Sequence, residues 1–208
     1  MAARCRAPRT ARPVFSAGHA QVYNDQYNFI SMSLILETNR LIMRELVPSD
    51  ATSMFELDGN PEVMKYLGGE TMQSASEMVP VIEYIRSQYI EKGIGRYAVI
   101  LKETDEFIGW SGIKYVVEPE NNFVNFYDLG YRFIERYWGK GYGYEAALPW
   151  IDFAFDVIKI DKLNADAHLQ NIGSNRILQK LGFKFVNKYE YDGYPFNWYE
   201  LQNPNLKL

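Results

Sequence analysis

Residues 136–144 read Arg-Tyr-Trp-Gly-Lys-Gly-Tyr-Gly-Tyr, RYWGKGYGY. Before them runs Phe123 to Phe133, rich in aromatics and Val, which predicts a strand. After them Glu145 to Val157 places Ala146, Ala147, Trp150, Ile151, Ala154 and Phe155 at helical spacing. A strand, a glycine turn and a helix in that order suit an anion. The first helical turn has free N–H groups and a partial positive charge. Glycines let that backbone curl around a phosphate. The two common phosphate loops fail on spacing. A P-loop needs Ser or Thr after its Lys, and Gly141 follows Lys140. The dinucleotide pattern needs glycine where Tyr144 stands. What remains is Arg136-x-x-Gly139-x-Gly141, with Gly143 two residues on. A tight turn without a ligand is the competing reading at this point.

Outward from the loop, Leu34 to Leu46 predicts a first strand and Pro48-Ser-Asp50 the start of a helix with Met54, Phe55 and Leu57 on its apolar face. A short helix follows Asp58-Gly-Asn-Pro61 and breaks at Gly68-Gly69. Ser74 to Lys92 is a long helix ended by Gly93. Arg96 to Lys102 and Phe107 to Val117 predict a hairpin about Glu103–Glu106. Beyond the loop helix come a strand (Leu163–Leu169), a helix (Ser174–Leu181, closed by Gly182) and a last strand pair about Asp192-Gly193. The order β-α-α-α-β-β-β-α-β-α-β-β predicts one α/β (α+β) domain, a mixed sheet of six to seven strands with helices on both faces.

Composition bounds the chemistry. The 208 residues are 47% hydrophobic and 23% charged, enough for one packed core. A net charge of −4 argues against a broad nucleic-acid footprint. No apolar run is long enough to span a membrane. Cys5 is the single cysteine, and His19 and His168 lie far apart, so neither a zinc site nor a Cys/His nucleophile pair is expected. No metal is expected. Residues 1–31 stand apart: Arg4, Arg6, Arg9 and Arg12 precede the first acid. They read as a disordered extension or, alternatively, a transit peptide, with the domain spanning 32–208.

The loop pattern resembles the acetyl-CoA pyrophosphate loop of the GNAT N-acetyltransferases. Asn171-Ile-Gly-Ser-Asn-Arg-Ile-Leu-Gln-Lys-Leu-Gly-Phe183 resembles that superfamily's later Asn-x-x-Ser…Lys-x-Gly-Phe segment, about 30 residues on. Leu36-Glu-Thr-Asn-Arg-Leu41, Asn60-Pro-Glu-Val63 and Asp128-Leu-Gly-Tyr131 resemble the RimJ/RimL-like branch, which acetylates ribosomal proteins. The likeness covers roughly 34–202.

The resemblance implies transfer of acetyl from acetyl-CoA, as cosubstrate, to a primary amine. It implies that Tyr131, Phe133 and Ile134 offer backbone N–H groups to the cofactor, Phe133 foremost. Gly139, Lys140, Gly141, Tyr142, Gly143 and Tyr144 then cradle the pyrophosphate, with Arg136 and Lys140 adding charge and Asn171 meeting the pantetheine arm. Asp128 is the first expectation for the general base, with Glu190 behind it. Many of these enzymes carry a tyrosine acid on the last helix. Leu178 occupies that position here, and Ser174 stands where the resembled branch has a serine. With no cysteine in the domain, direct attack in a ternary complex is expected. The amine is a protein N-terminus or a small amine such as a polyamine, amino acid or aminoglycoside. A catalytically silent CoA-binding module and a nucleotide-binding protein are the rival classes. The aromatic content is compatible with a homodimer, and the default location is cytoplasmic.

Overall fold

A computed structural model describes residues 34–205; the Arg-rich segment 1–31 lies outside the described residues. Eight strands form one sheet in the order β1-β2-β3-β4-β5-β6-β8-β7. They are β1 (Leu36–Glu37), β2 (Leu41–Arg44), β3 (Arg96–Leu101), β4 (Glu106–Val116), β5 (Phe126–Phe133), β6 (Lys162–His168), β7 (Lys184–Tyr191) and β8 (Tyr194–Gln202). The helices are α1 (Ala51–Asp58), α2 (Pro61–Met64), α3 (Met78–Lys92), α4 (Tyr142–Asp152) and α5 (Ile172–Lys180).

The count exceeds the expected six to seven because the first predicted strand folds on itself. Leu36 pairs with Met43 across a turn at Thr38–Arg40. Thr38 makes that turn: its N–H donates to the Leu41 carbonyl, and its hydroxyl accepts the Leu41 N–H. The loop helix also departs from expectation. It begins at Tyr142 rather than Glu145, so Pro149 is its eighth residue and sits inside it. Proline offers no N–H to the preceding turn. The helix loosens directly afterwards into a π-helical turn, Phe153–Ile158.

Consecutive residues of β4 show that helices cover both faces. The Ser111 hydroxyl donates to the Ala146 carbonyl of α4 at 3.4 Å. Trp110, pointing the other way, underlies Arg132, which pairs with Asp58 of α1. The core joins the two layers through Tyr97, whose ring meets Trp150 of α4 and Tyr89 of α3. A smaller cluster, Val116, Phe126 and Trp198, seals the β4–β5 side of the far sheet edge.

Candidate active site

The site begins as a fault in the sheet. Among the described residues, strands β5 and β6 are its only parallel neighbours, and they pair at one point, Asp128 opposite Asn164. Beyond that point β5 stays with β4 as far as Phe133, while β6 stays with β8 as far as His168. The two strands part, and a cleft of about 790 Å³ opens between them. It runs from the glycine loop, past α5, to the acids at the base of the gap.

The gap exposes backbone donors. The Ile134 N–H donates to the Ile108 carbonyl at 3.0 Å. An antiparallel ladder alternates its bonded pairs, so the N–H groups of Arg132 and Gly130 also turn toward β4. Those of Tyr131 and Phe133 therefore turn into the gap. Ile134, expected beside them, spends its N–H within the sheet. The Phe133 carbonyl is occupied by the Trp138 indole N–H at 2.6 Å, which leaves its N–H as the group on offer.

The glycine loop is built in two ways. Gly139 and Gly141 have φ of +73° and +83°, a left-handed backbone that other L-residues adopt at a cost of about 1–2 kcal/mol. An added Cβ at Gly139 would touch nothing, so its requirement is conformational. Gly143 differs. A Cβ there would lie 3.1 Å from Ile177 Cδ1 and 3.7 Å from the Tyr131 ring, so its hydrogen lets α4 pack on α5 and β5. The free N–H groups of Tyr142, Gly143 and Tyr144 open α4 toward the cleft. No helical bond precedes Glu145 N–H to the Gly141 carbonyl.

Arg40, which the sequence offered only inside Leu36–Leu41, braces this loop. It bonds Glu145 through Nε at 2.7 Å and through its own N–H at 3.0 Å. It also donates to the Lys140 carbonyl at 3.1 Å and lies 4.4 Å from the Tyr142 ring centre. The Thr38 hydroxyl donates to the same carboxylate at 2.6 Å. Burial works against the Glu145 charge, but these bonds outweigh it and hold the carboxyl below its usual range. The two cations expected to face the ligand turn elsewhere. Arg136 pairs with Glu56 of α1, and Lys140 lies over the Tyr137 ring. Neither lines the cleft.

The Asn171 side chain accepts the Ser174 N–H at 3.0 Å and so caps α5. That leaves the Ser174 hydroxyl free of capping, and it meets the Tyr131 hydroxyl at 3.2 Å. Burial pushes the Tyr131 phenol up, opposed by the bond to Ser174. Leu178 is a core residue. A tyrosine hydroxyl thus reaches this place from β5 rather than from α5.

At the base of the gap the opposite face presents acids and aromatics. The Arg96 guanidinium lies over Gly130, where any Cβ would collide with it at 2.7 Å, and pairs with Asp128. Asp166 follows Asn164 by two residues on the same face of β6 and also lines the cleft. Its pKa is pushed up to about 7 by burial first, then by the charges of Asp128 and Glu120, against the Tyr189 bond and Arg96. Glu120 is raised by burial and by Asp128, against its bond from Tyr189. Nothing in the linear pattern marked Asp166, one acid in an alternating strand. His168, two residues on, is buried beneath Tyr66 and Phe196, with ring centres 5.4 and 5.5 Å away. The Tyr194 hydroxyl donates to the Gly68 carbonyl at 3.0 Å and ties β8 to the roof. Glu190 is exposed on β7 outside the cleft, and Trp198 is core.

Residues 40–184 match the acetyltransferase (GNAT) domain family. This chain belongs to the GNAT family. The enzyme is 30% identical over 176 residues to the uncharacterized N-acetyltransferase YoaA of Bacillus subtilis, covering 82% of this chain and 97% of that one. Among solved structures, a GNAT-family acetyltransferase from Bacillus anthracis shares its fold at TM-score 0.69 and 20% identity, covering 82% of this chain and 99% of that one. Ribosomal-protein-S5-alanine acetyltransferase from Vibrio fischeri shares it at TM-score 0.67 and 17% identity, covering 84% and 100%. The enzyme is therefore an acetyl-CoA-dependent N-acetyltransferase. The residues present fit acetyl-CoA: a glycine cradle with open space above it, free N–H groups at the α4 terminus, and two more along β5.

Proposed function

We propose that the enzyme acetylates a protein N-terminal α-amine, by direct attack in a ternary complex. The observation that carries this reading is the pairing of Asp166 with His168 on one face of β6. The His168 Nδ1 accepts the Gln170 N–H at 3.1 Å, which assigns the proton of the neutral ring to Nε2. Nε2 has no hydrogen-bond partner among the described residues, and the ring lines the cleft. A peptide N-terminus offers what these two groups lack: an ammonium for the carboxylate and, one carbon further, a carbonyl oxygen for the imidazole N–H. The structural likeness to an S5-alanine acetyltransferase agrees with this reading.

Bound acetyl-CoA supplies the activated acetyl group. The chain's part is to position it and to handle protons. Gly139, Gly141, Tyr142, Gly143 and Tyr144 hold the pyrophosphate, and Asn171 borders the pantetheine path. Phe133 N–H, with Tyr131 N–H behind it, donates to the thioester oxygen and to the oxyanion that forms there. The amine nitrogen forms the C–N bond, the C–S bond breaks, and the thiolate takes a proton by way of Ser174, replaced by the second proton that the nitrogen sheds. The ammonium proton leaves to a carboxylate at the base of the gap, where Asp128 is the expectation from sequence and Asp166 stands beside it. A small polycation is the second reading. Asp128, Asp166 and Glu120 favour it by attraction.

Free-thiol release with an Ala- or Ser-initiated tetrapeptide, its N-blocked form, spermidine and a free amino acid tests the choice. A free peptide is expected to exceed spermidine at least tenfold in kcat/KM, and the blocked form to be inert. The reverse order establishes a small-amine enzyme instead.

A further inference from the structure

One phenol proton cannot serve both of the carboxyls that meet the Tyr189 oxygen. The Tyr189 oxygen lies 2.6 Å from Glu120 Oε1 and 3.0 Å from Asp166 Oδ2. A phenol has one proton to donate. When it goes to Glu120, the closer partner, the contact with Asp166 becomes a hydrogen bond only if Asp166 brings the second proton. The arrangement is then a chain, from the Asp166 carboxyl to the Tyr189 oxygen to the Glu120 carboxylate. It is a receptor prepared for one proton on Asp166.

Asp128 is placed differently. Its Oδ2 is taken by the Arg96 guanidinium, which also donates to the backbone carbonyls of Asp128 and Gly112. Gly130 leaves room for that guanidinium, so the pair is fixed against the sheet. A carboxylate so occupied suits the holding of an ammonium better than the removal of its proton. Asp166 Oδ1, by contrast, has no hydrogen-bond partner among the described residues, and the residue lines the cleft. The unpartnered His168 Nε2 beside it is an independent sign that this wall meets a ligand.

We propose that Asp166, rather than Asp128, takes the proton from the attacking amine, with Tyr189 and Glu120 holding the protonated carboxyl and the Asp128–Arg96 pair positioning the ammonium. This rests on the acetyl-transfer reading of the cleft, with either class of amine. In the step, the ammonium N–H bond breaks and its proton moves to Asp166 Oδ1 or Oδ2, directly or through one water. The freed lone pair attacks the thioester carbon and forms the C–N bond; the C–S bond breaks, and the second proton that the nitrogen sheds replaces the one the thiolate takes by way of Ser174. The groups that face Asp166 are Asp128 from β5, Arg96 from β3, Glu120 from the β4–β5 connection, Tyr189 from β7 and His168 from β6 itself. A carboxyl that titrates near 7 in that company is matched to the task at neutral pH.

The test compares the full-length parent with Asp166→Asn, Asp166→Glu and Asp128→Asn. Thiol release is followed from pH 5.5 to 9 with the fastest amine of the panel above, or with water as acceptor if no amine reacts. The parent is expected to show an acidic limb near pH 7. Asp166→Asn is expected to lower kcat about 100-fold and remove that limb, with acetyl-CoA affinity by calorimetry unchanged. Asp166→Glu restores part of the rate with a displaced limb. Asp128→Asn keeps the limb but moves it to lower pH, because the Asp128 charge no longer raises the Asp166 carboxyl, and it raises the amine KM. If Asp166→Asn stays within threefold of the parent, or keeps the limb, the assignment to Asp166 is wrong. Carbon-13 titration of the Asp166 carboxyl in the parent decides the matter should Asp166→Asn not fold: a midpoint near 4 overturns the proposal. Failure of the acetyl-transfer reading looks different, since the parent then shows no acceptor-dependent thiol release while the carboxyl titration stands.

Discussion

Gly141 and Ser174 enter the proposed mechanism for different reasons, one through its backbone and the other through its side chain. Gly141 is needed for its backbone: φ is +83° and the nearest atom to an added Cβ is Arg40 Nη2, 3.6 Å away. Gly141→Val therefore fails by conformation, since a β-branched residue is among the worst at positive φ. It is expected to weaken acetyl-CoA binding by calorimetry at least tenfold, with the fold retained by circular dichroism. Unchanged affinity would take the pyrophosphate away from this loop. In the proposed mechanism Ser174 acts through its hydroxyl, which the Asn171 cap leaves free to face Tyr131. Ser174→Ala should lower kcat more than acetyl-CoA affinity, and Tyr131→Phe should do the same to a smaller degree. The double variant should cost less than the two single losses combined, because the hydroxyls act as one unit. Full additivity would show that they act separately. The placing of Gly139, Gly141, Ser174 and Asn171 along the cleft is legible in the sequence because each sits in a local pattern. The direction of the Arg136 and Lys140 side chains is not legible there: Glu56 and the Tyr137 ring, which hold them, come from the fold.

At the scale of elements, the phosphate loop is shaped from outside as much as by its own glycines. The β1–β2 hairpin reaches across to α4 through Thr38, Arg40 and Glu145, more than 100 residues apart. Leu36–Leu41 carries a family-like motif in sequence, but its use appears only when the strand doubles back. Strand patterning gives the elements; it does not give that turn, because alternation is confined to Leu41, Met43 and Glu45 and the whole of Leu34 to Leu46 reads as a single strand. Likewise β5 and β6 both read as ordinary strands. Their separation after Asp128 and Asn164, which makes the cleft, is a property of the pair. Arg40→Ala is expected to raise the acetyl-CoA Kd about tenfold, since the Lys140 carbonyl and the first turn of α4 lose their common brace. Arg40 is half exposed in its pair with Glu145, so the melting temperature should fall only slightly. A large loss of stability with unchanged affinity would make the hairpin a structural prop and nothing more.

For the whole molecule, the acid cluster sets catalysis against stability. Asp166 keeps a proton in the folded enzyme up to about pH 7, whereas in the unfolded chain it ionises near the ordinary aspartate value of about 3.9. Between those values the folded state binds more protons than the unfolded one, so this group's contribution to stability falls as pH rises. It is fully present below about pH 4 and has been lost once the pH passes the folded value. Glu120, raised in the same direction, adds to the trend. Asp166→Asn removes the ionisation while keeping the shape and a hydrogen bond to Tyr189. Its melting temperature relative to the parent should therefore climb with pH, near parity at pH 4.5 and above the parent by several degrees at pH 8. A difference that stays constant across that range would show that Asp166 is not held protonated by its surroundings. The rate measured on the same samples should move the other way, because the desolvation and neighbouring charge that destabilise ionised Asp166 are what give it a proton affinity useful near neutrality.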